Sequence, residues 1–257
     1  VSTDAPGELQ ALRAQLGAAH ADAEDMARMV SHDLRAPLRH VLAYGEVLRE
    51  MVASGEDVAP ALAQLDRSSR QLGDMLDAVL ALVRLSGAPL QPGLTDGALL
   101  VAEARRAAEA ALPAADRARA IRWDIAPGLP PVPGDALQLR QALAALLANA
   151  LKFTRPVAEP RIQVDGTVLP GGGVQLCVRD NGAGFPSAQA ARLFQPFARL
   201  HGTRFEGLGT GLALVQQVMR RHGGSAHAEG APGQGCAVWL TLPQAAAAAA
   251  GSGTSPA

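Results

Sequence analysis

Ser31-His-Asp-Leu-Arg-Ala-Pro-Leu38 sets a lone histidine beside a carboxylate inside a helical run, with a proline little more than one turn later. On its N-terminal side Leu9, Leu12, Leu16, Ala19, Ala23, Met26 and Val30 recur at alternating steps of three and four, which is a heptad seam. On its C-terminal side the helical pattern runs through Leu34, Leu38, Val41, Tyr44 and Leu48 to the turn-forming cluster Ser54-Gly-Glu-Asp57. A second seam follows at Val58, Leu62, Leu65, Ser69, Leu72, Leu76, Val79 and Val83. Two long helices joined by a short turn predict an antiparallel hairpin. One hairpin has too little neighbouring surface to cover both apolar stripes, so two copies are expected to pair into a four-helix bundle, giving a homodimer. The plainer alternative is a monomeric hairpin docked on the domain that follows.

The run Ser86-Gly-Ala-Pro89 ends the second helix, and proline and glycine up to Gly97 mark a linker. Beyond it the pattern turns mixed. Leu99–Leu112 reads as helix, Ala120–Ile125 as strand and Asp135–Lys152 as helix. Arg161–Leu169 and Val174–Arg179 read as two strands joined by Pro-Gly-Gly-Gly, a hairpin signal. A helix from Gly211 to His222 and two strands ending at Leu242 complete an α/β sandwich with mainly antiparallel strands. The expected division is 1–24 coiled-coil signalling helix, 25–86 dimerisation and histidine domain, 87–97 linker, 98–243 second domain and 244–257 disordered tail.

Charge and composition exclude several classes. With 23 basic against 24 acidic residues there is no basic footprint for nucleic acid. No apolar run reaches the roughly 20 residues that span a bilayer without interruption. Cys177 and Cys236 lie in apolar strand-like runs without metal spacing, which reads as buried thiols in a reducing, cytoplasmic setting. The chain opens on Val1 and enters a helical pattern at once, as a piece of a longer protein would.

Chemistry concentrates in four places. An imidazole at His32 is a competent nucleophile when neutral, and Asp33 beside it can hold the tautomer and take up the released proton. Pro37 removes the helical hydrogen bond to the carbonyl of Asp33 and is expected to loosen the helix at the histidine. Asn149-Ala-Leu-Lys-Phe-Thr154 closes a strongly apolar helix. Asn149 offers a hard carbonyl oxygen to Mg²⁺, and equally suits a cap on its own loop. Lys152, near the same face, suits phosphate charge.

Asp180-Asn-Gly-Ala-Gly-Phe185 follows a strand. Its glycines, Gly182 and Gly184, allow a sharp turn and a flat ring close to the backbone, and Asp180 can accept a hydrogen bond from an adenine amine. Gly207-Leu-Gly-Thr-Gly-Leu212 leads into a helix, so Gly207, Gly209, Thr210, Gly211 and Leu212 can present N–H groups to phosphates. Its spacing is neither the dinucleotide fingerprint nor a P-loop. Between these sites Leu193-Phe-Gln-Pro-Phe-Ala-Arg-Leu200 carries Phe194 and Phe197, which suit a lid anchor or ordinary packing equally.

In this fixed order the motifs resemble the two-component sensor histidine kinases, in which a dimerisation and phosphoacceptor domain precedes a GHKL-type ATPase domain. The resemblance covers roughly 25–242, with Ser31–Leu38 similar to the H box, 149–154 to the N box, 180–185 and 207–212 to the two G boxes, and 193–199, with Phe197 and Arg199, to the F box. It implies that His32 is phosphorylated from ATP, that Asn149 binds Mg²⁺, that Asp180 reads adenine, and that an aspartate of a response-regulator receiver domain takes the phosphoryl group. Arg199-Leu-His201, Phe205-Glu-Gly207 and Arg221-His-Gly-Gly224 look most like the bacteriophytochrome-type branch, whose sensor would lie upstream of this sequence. Two positions depart from the pattern. Ala145 stands where an asparagine often precedes the Mg²⁺ ligand, and Ala36 stands where Thr or Asn often positions water for phosphatase activity, so weak phosphatase activity is expected. The readings that compete with a kinase are a dimeric scaffold that binds ATP without transfer, and an ATPase clamp, which would leave the His32 motif without a purpose.

Overall fold

The computed structural model describes residues 5–202 and 204–244, and within the first helix it describes the backbone alone for 5–27 and 29. The side chains of the expected N-terminal seam other than Val30, and of the expected tail other than Gln244, therefore lie outside the described residues. The chain divides into two compact units, Val1–Ala81 and Leu82–Ala257.

The first unit is helical. Helix α1 spans Ala5–Ser54 and α2 spans Ala59–Gly87, separated by the turn at Gly55, whose φ of 74° suits glycine. Helix α1 runs unbroken through Pro37, so the expected loosening at the histidine does not interrupt it. Apolar residues of the second expected seam stand exposed in the single chain, among them Leu62, Leu76 and Val83, as does Leu38 on α1. Water-exposed leucines at helical spacing leave a face unfilled, as a bundle built from one hairpin must.

In the second unit a five-stranded sheet backs three helices. The helices are α3 (Gly97–Ala110), α4 (Ala136–Phe153) and α5 (Gly211–Arg221). In chain order the strands are β1 (Gly93–Thr95), β2 (Arg122–Ile125), β3 (Val132–Gly134), β4 (Arg161–Val168), β5 (Val174–Asp180), β6 (Ser225–Gly230) and β7 (Cys236–Leu242). The large sheet has the order β2-β4-β5-β7-β6, antiparallel except for the parallel pair β2 and β4. Two three-residue strands escaped the sequence reading: β1 pairs with β3, so the expected linker 87–97 is anchored to the domain over Gly93–Thr95. Strands this short carry no periodicity to read.

Leu143, Leu147 and Leu151 put α4 at the centre of the core, each exposed by 1% or less. Each such leucine contributes about 2 kcal/mol by leaving water. Side-chain caps start two of the three helices: Asp96 accepts the N–H of Leu99 at 2.8 Å, and Asp135 accepts that of Gln138 at 3.0 Å. Helix α5 differs, because Thr210 makes no side-chain cap.

Candidate functional site

One cavity of about 270 Å³ opens between α4, the end of β5 and the start of α5. Its lining includes apolar Leu146, Val178, Phe185 and Val238 together with polar Asn149, Lys152, Asp180 and Glu206. Such a wall with few converging polar groups suits a small organic ligand with a flat ring.

The sequence places Asn149 and Lys152 on the last turns of α4, and both line the cavity. Burial pushes the Lys152 ammonium down from its ordinary range, while the nearby Glu206 carboxylate pushes it up. Its Nζ stands 4.5 Å above the ring of Phe153. Ala145, one turn before Asn149, carries no oxygen donor. A single carbonyl oxygen nonetheless fits Mg²⁺, which draws most of its shell from water and phosphate.

Asp180 closes β5 and enters the cavity wall; burial pushes its carboxyl up to about 6, against hydrogen bonds from the N–H groups of Gly182 and Cys236. Across the cavity α5 begins at Gly211. Its first N–H groups have no intrahelical acceptors and no side-chain cap, and Thr210, Gly211 and Leu212 at this positive end of the helix dipole line the same cavity as Asn149 and Lys152. The preceding turn needs its glycines, with φ of 116° at Gly207 and 77° at Gly209. Gly184, Arg199, Gly207, Gly209, Thr210, Gly211 and Leu212 all line the cavity.

Gly182 and Phe197 do not. A Cβ at Gly182 would lie 2.6 Å from the Phe153 carbonyl oxygen, and one at Gly184 would collide with that of Ala231. Both glycines therefore permit a close approach to the chain's own backbone, and Gly184 also lines the cavity. Phe197 sits with φ of 61°, and a Cβ at Gly209 would press on the carbonyl of Ala198 beside it. It shapes the bend under the glycine turn. Phe194, the other aromatic of that segment, is buried in the core.

Sequence reasoning passed over a cluster of rings. Phe153, His201 and Phe205 line the cavity with centroids 5.0–5.4 Å apart, joining the segment before Gly207 to the end of α4. Arg199 braces that segment by donating to the carbonyl of Phe205 at 2.9 Å. Phe153 lay inside a quoted motif; only the tertiary fold brings the other two rings to it.

In the helical unit His32 is 83% exposed, and its Nδ1 lies 3.0 Å from Asp33 Oδ1. A carboxylate accepts only, so this bond requires a proton on Nδ1, and in the neutral ring that tautomer leaves the lone pair on Nε2. Burial raises both thiols, Cys236 to about 12, so neither is a thiolate at neutral pH. Among the described residues no cluster of His, Cys, Asp and Glu is arranged for a metal, and no helix is long and apolar enough to cross a membrane.

Comparison with known proteins agrees with this geometry. Residues 134–246 match the histidine kinase-, DNA gyrase B- and HSP90-like ATPase family, and residues 22–88 match the His kinase A phospho-acceptor domain. The methanogenesis regulatory histidine kinase FilI of Methanothrix harundinacea is 32% identical, over 93% of this chain and 26% of that protein. The probable sensor histidine kinase TcrY of Mycobacterium tuberculosis is 34% identical, over 79% of this chain and 42% of that protein. This chain thus spans less than half of either relative. Full-length ShkA, solved in complex with AMPPNP, superposes with a TM-score of 0.55 at 28% identity, over 88% of this chain and 47% of that one. ThkA, solved with the response regulator protein TrrA, gives 0.64 at 18% identity over 92% of this chain and 66% of that one, a likeness of fold.

Proposed function

We propose, from the premise that this chain is a sensor histidine kinase catalytic module with a phosphoacceptor domain followed by an ATPase domain, that it moves the γ-phosphoryl group of ATP to His32 and from there to an aspartate of a response-regulator receiver domain. The observation that carries the reading is the cavity in which Asp180, Asn149, Lys152 and the uncapped start of α5 converge. Asp180 accepts from the adenine amine, and the N–H groups of α5 and the Lys152 ammonium take the phosphates. Asn149 would hold Mg²⁺, which neutralises phosphate charge. Nε2 of His32 forms a bond to the γ-phosphorus as the bond from phosphorus to the bridging oxygen breaks and ADP leaves; Asp33 takes the Nδ1 proton from the imidazolium.

Exposed apolar residues along α1 and α2 support a homodimer. ATP as substrate and two free thiols support a cytoplasmic site of action. The resemblance of 199–201, 205–207 and 221–224 supports the bacteriophytochrome-type branch; a photosensory domain upstream would bear this out, and any other sensor would end it.

Incubation with ATP labelled on the γ-phosphate tests the reading. Acid-labile, base-stable label on the protein is the expected result. Bound ATP without label would make the chain a scaffold, and free phosphate without labelled protein would make it an ATPase.

A further inference from the structure

Glu206 is the last residue before the glycine turn, and it lines the cavity with a charge of the same sign as a triphosphate. Both its carboxylate oxygens are held by the two Nη groups of Arg155, a bidentate pair. Arg155 is itself fixed. Its Nη2 reaches Asp116 Oδ2 at 2.6 Å, and these two side chains are 23% and 16% exposed. Its backbone N–H bonds the carbonyl of Lys152, just where Arg119 pins the end of α4 through Leu151 and Thr154. The contact of Phe153 with Phe205 delivers the neighbouring Glu206 to the same place.

Lys152 stands one turn before Arg155 and feels Glu206 through space, yet among the described residues no carboxylate pairs with its ammonium. Without Arg155 it would be the cation nearest to Glu206. A pair between those two would use up the charge that the phosphates require and leave a carboxylate beside them.

We propose that Arg155 is a positioning residue that holds the Glu206 carboxylate off Lys152, so that Lys152 stays free for the phosphates of ATP. The proposal rests on the ATP reading of the cavity. Arg155 touches no substrate; it acts through Glu206.

The test is binding of Mg-ATP and of adenosine, by titration calorimetry, to the unmodified chain and to Arg155→Met, Glu206→Gln and the double variant. Arg155→Met is expected to weaken ATP about 10-fold and adenosine by less than about 2-fold, since adenosine carries no phosphate. Glu206→Gln is expected to tighten ATP about 2-fold, and the double variant to recover to within about 3-fold of the unmodified chain. A double variant as weak as Arg155→Met, or equal losses for ATP and adenosine, would overturn the proposal and give Arg155 a structural or direct role. Should Arg155→Met prove unfolded by circular dichroism, the neutral but polar Arg155→Gln with and without Glu206→Gln must show the same order. ATP binding by the unmodified chain keeps the two ideas apart: if it is absent, the ATP reading fails and the proposal with it, whereas intact binding without rescue overturns the proposal alone.

Discussion

Asp180 folds its carboxylate back over its own turn, accepting the N–H of Gly182 at 2.8 Å. That bond does not offset the loss of water, because the buried carboxyl stays protonated up to about pH 6, against 3.8 for the free group. In that window the native state binds more protons than the unfolded chain, so this residue makes stability fall as pH rises from about 4 to about 6. At neutral pH the buried charge costs the fold on the order of 3 kcal/mol. A group kept at such cost beside a cavity is a candidate for recognition.

Asp180→Asn therefore has opposite effects on fold and function. Denaturant unfolding at pH 5 and pH 7.5 is expected to move the stability difference toward the variant by about 1–3 kcal/mol as pH rises. Calorimetry is expected to show ATP binding weaker by about 1.5–3 kcal/mol, the worth of a charged hydrogen bond. A stability difference that does not vary with pH would sink the burial argument, and an unchanged Kd would remove Asp180 from adenine recognition.

Gly184→Ala places a methyl group against the Ala231 carbonyl at a φ of 61°. A cost of at least about 2 kcal/mol is expected from strain and collision together. Gly128→Ala, at a φ of 73° with nothing within 4 Å, bears the backbone strain alone and should cost about 1 kcal/mol. Equal urea midpoints for the two would show that the close approach is not what requires glycine at 184.

His32→Gln removes the nucleophile from a helix that lies in the other unit from the cavity. Autophosphorylation should vanish while ATP affinity stays nearly the same. Asp33→Asn should leave a reaction slower by about 10²–10⁴-fold, the usual worth of general-base help. Labelling assays and ATP titration check both; loss of ATP binding in His32→Gln would contradict the division of labour.

Ala36 lies one turn beyond His32 on α1 with its methyl group exposed. A hydroxyl or amide there can hydrogen-bond an attacking water, and a methyl group cannot. The unmodified chain should barely speed loss of phosphate from its regulator. Ala36→Thr or Ala36→Asn should raise that rate without abolishing autophosphorylation. The decay of purified phospho-regulator with the ADP-loaded protein decides it, and strong acceleration by the unmodified chain would show that another group positions the water.

Short-range physics made much of this protein legible from residues alone. Seams at three and four residues announced α1 and α2, and Pro-Gly-Gly-Gly announced the β4–β5 hairpin, because helix and turn geometry depend on neighbours a few positions away. The expected cavity residues from Asn149 to Leu212, apart from Gly182 and Phe197, could be named because each sits in a motif with its own local chemistry.

What only the tertiary structure decided depends on atoms far apart in sequence. Strand β1 exists because β3, nearly forty residues away, supplies its hydrogen bonds. Gly182 packs so closely on the carbonyl of Phe153, 29 residues earlier, that a Cβ would collide with it. The raised carboxyl of Asp180 comes from burial, a property of the packed domain that no residue spacing records. Arg155 and Glu206 are 51 positions apart, and their pairing follows from where α4 ends and where the chain returns to it. Local preferences name the elements and the reactive groups; the fold alone determines which charges meet.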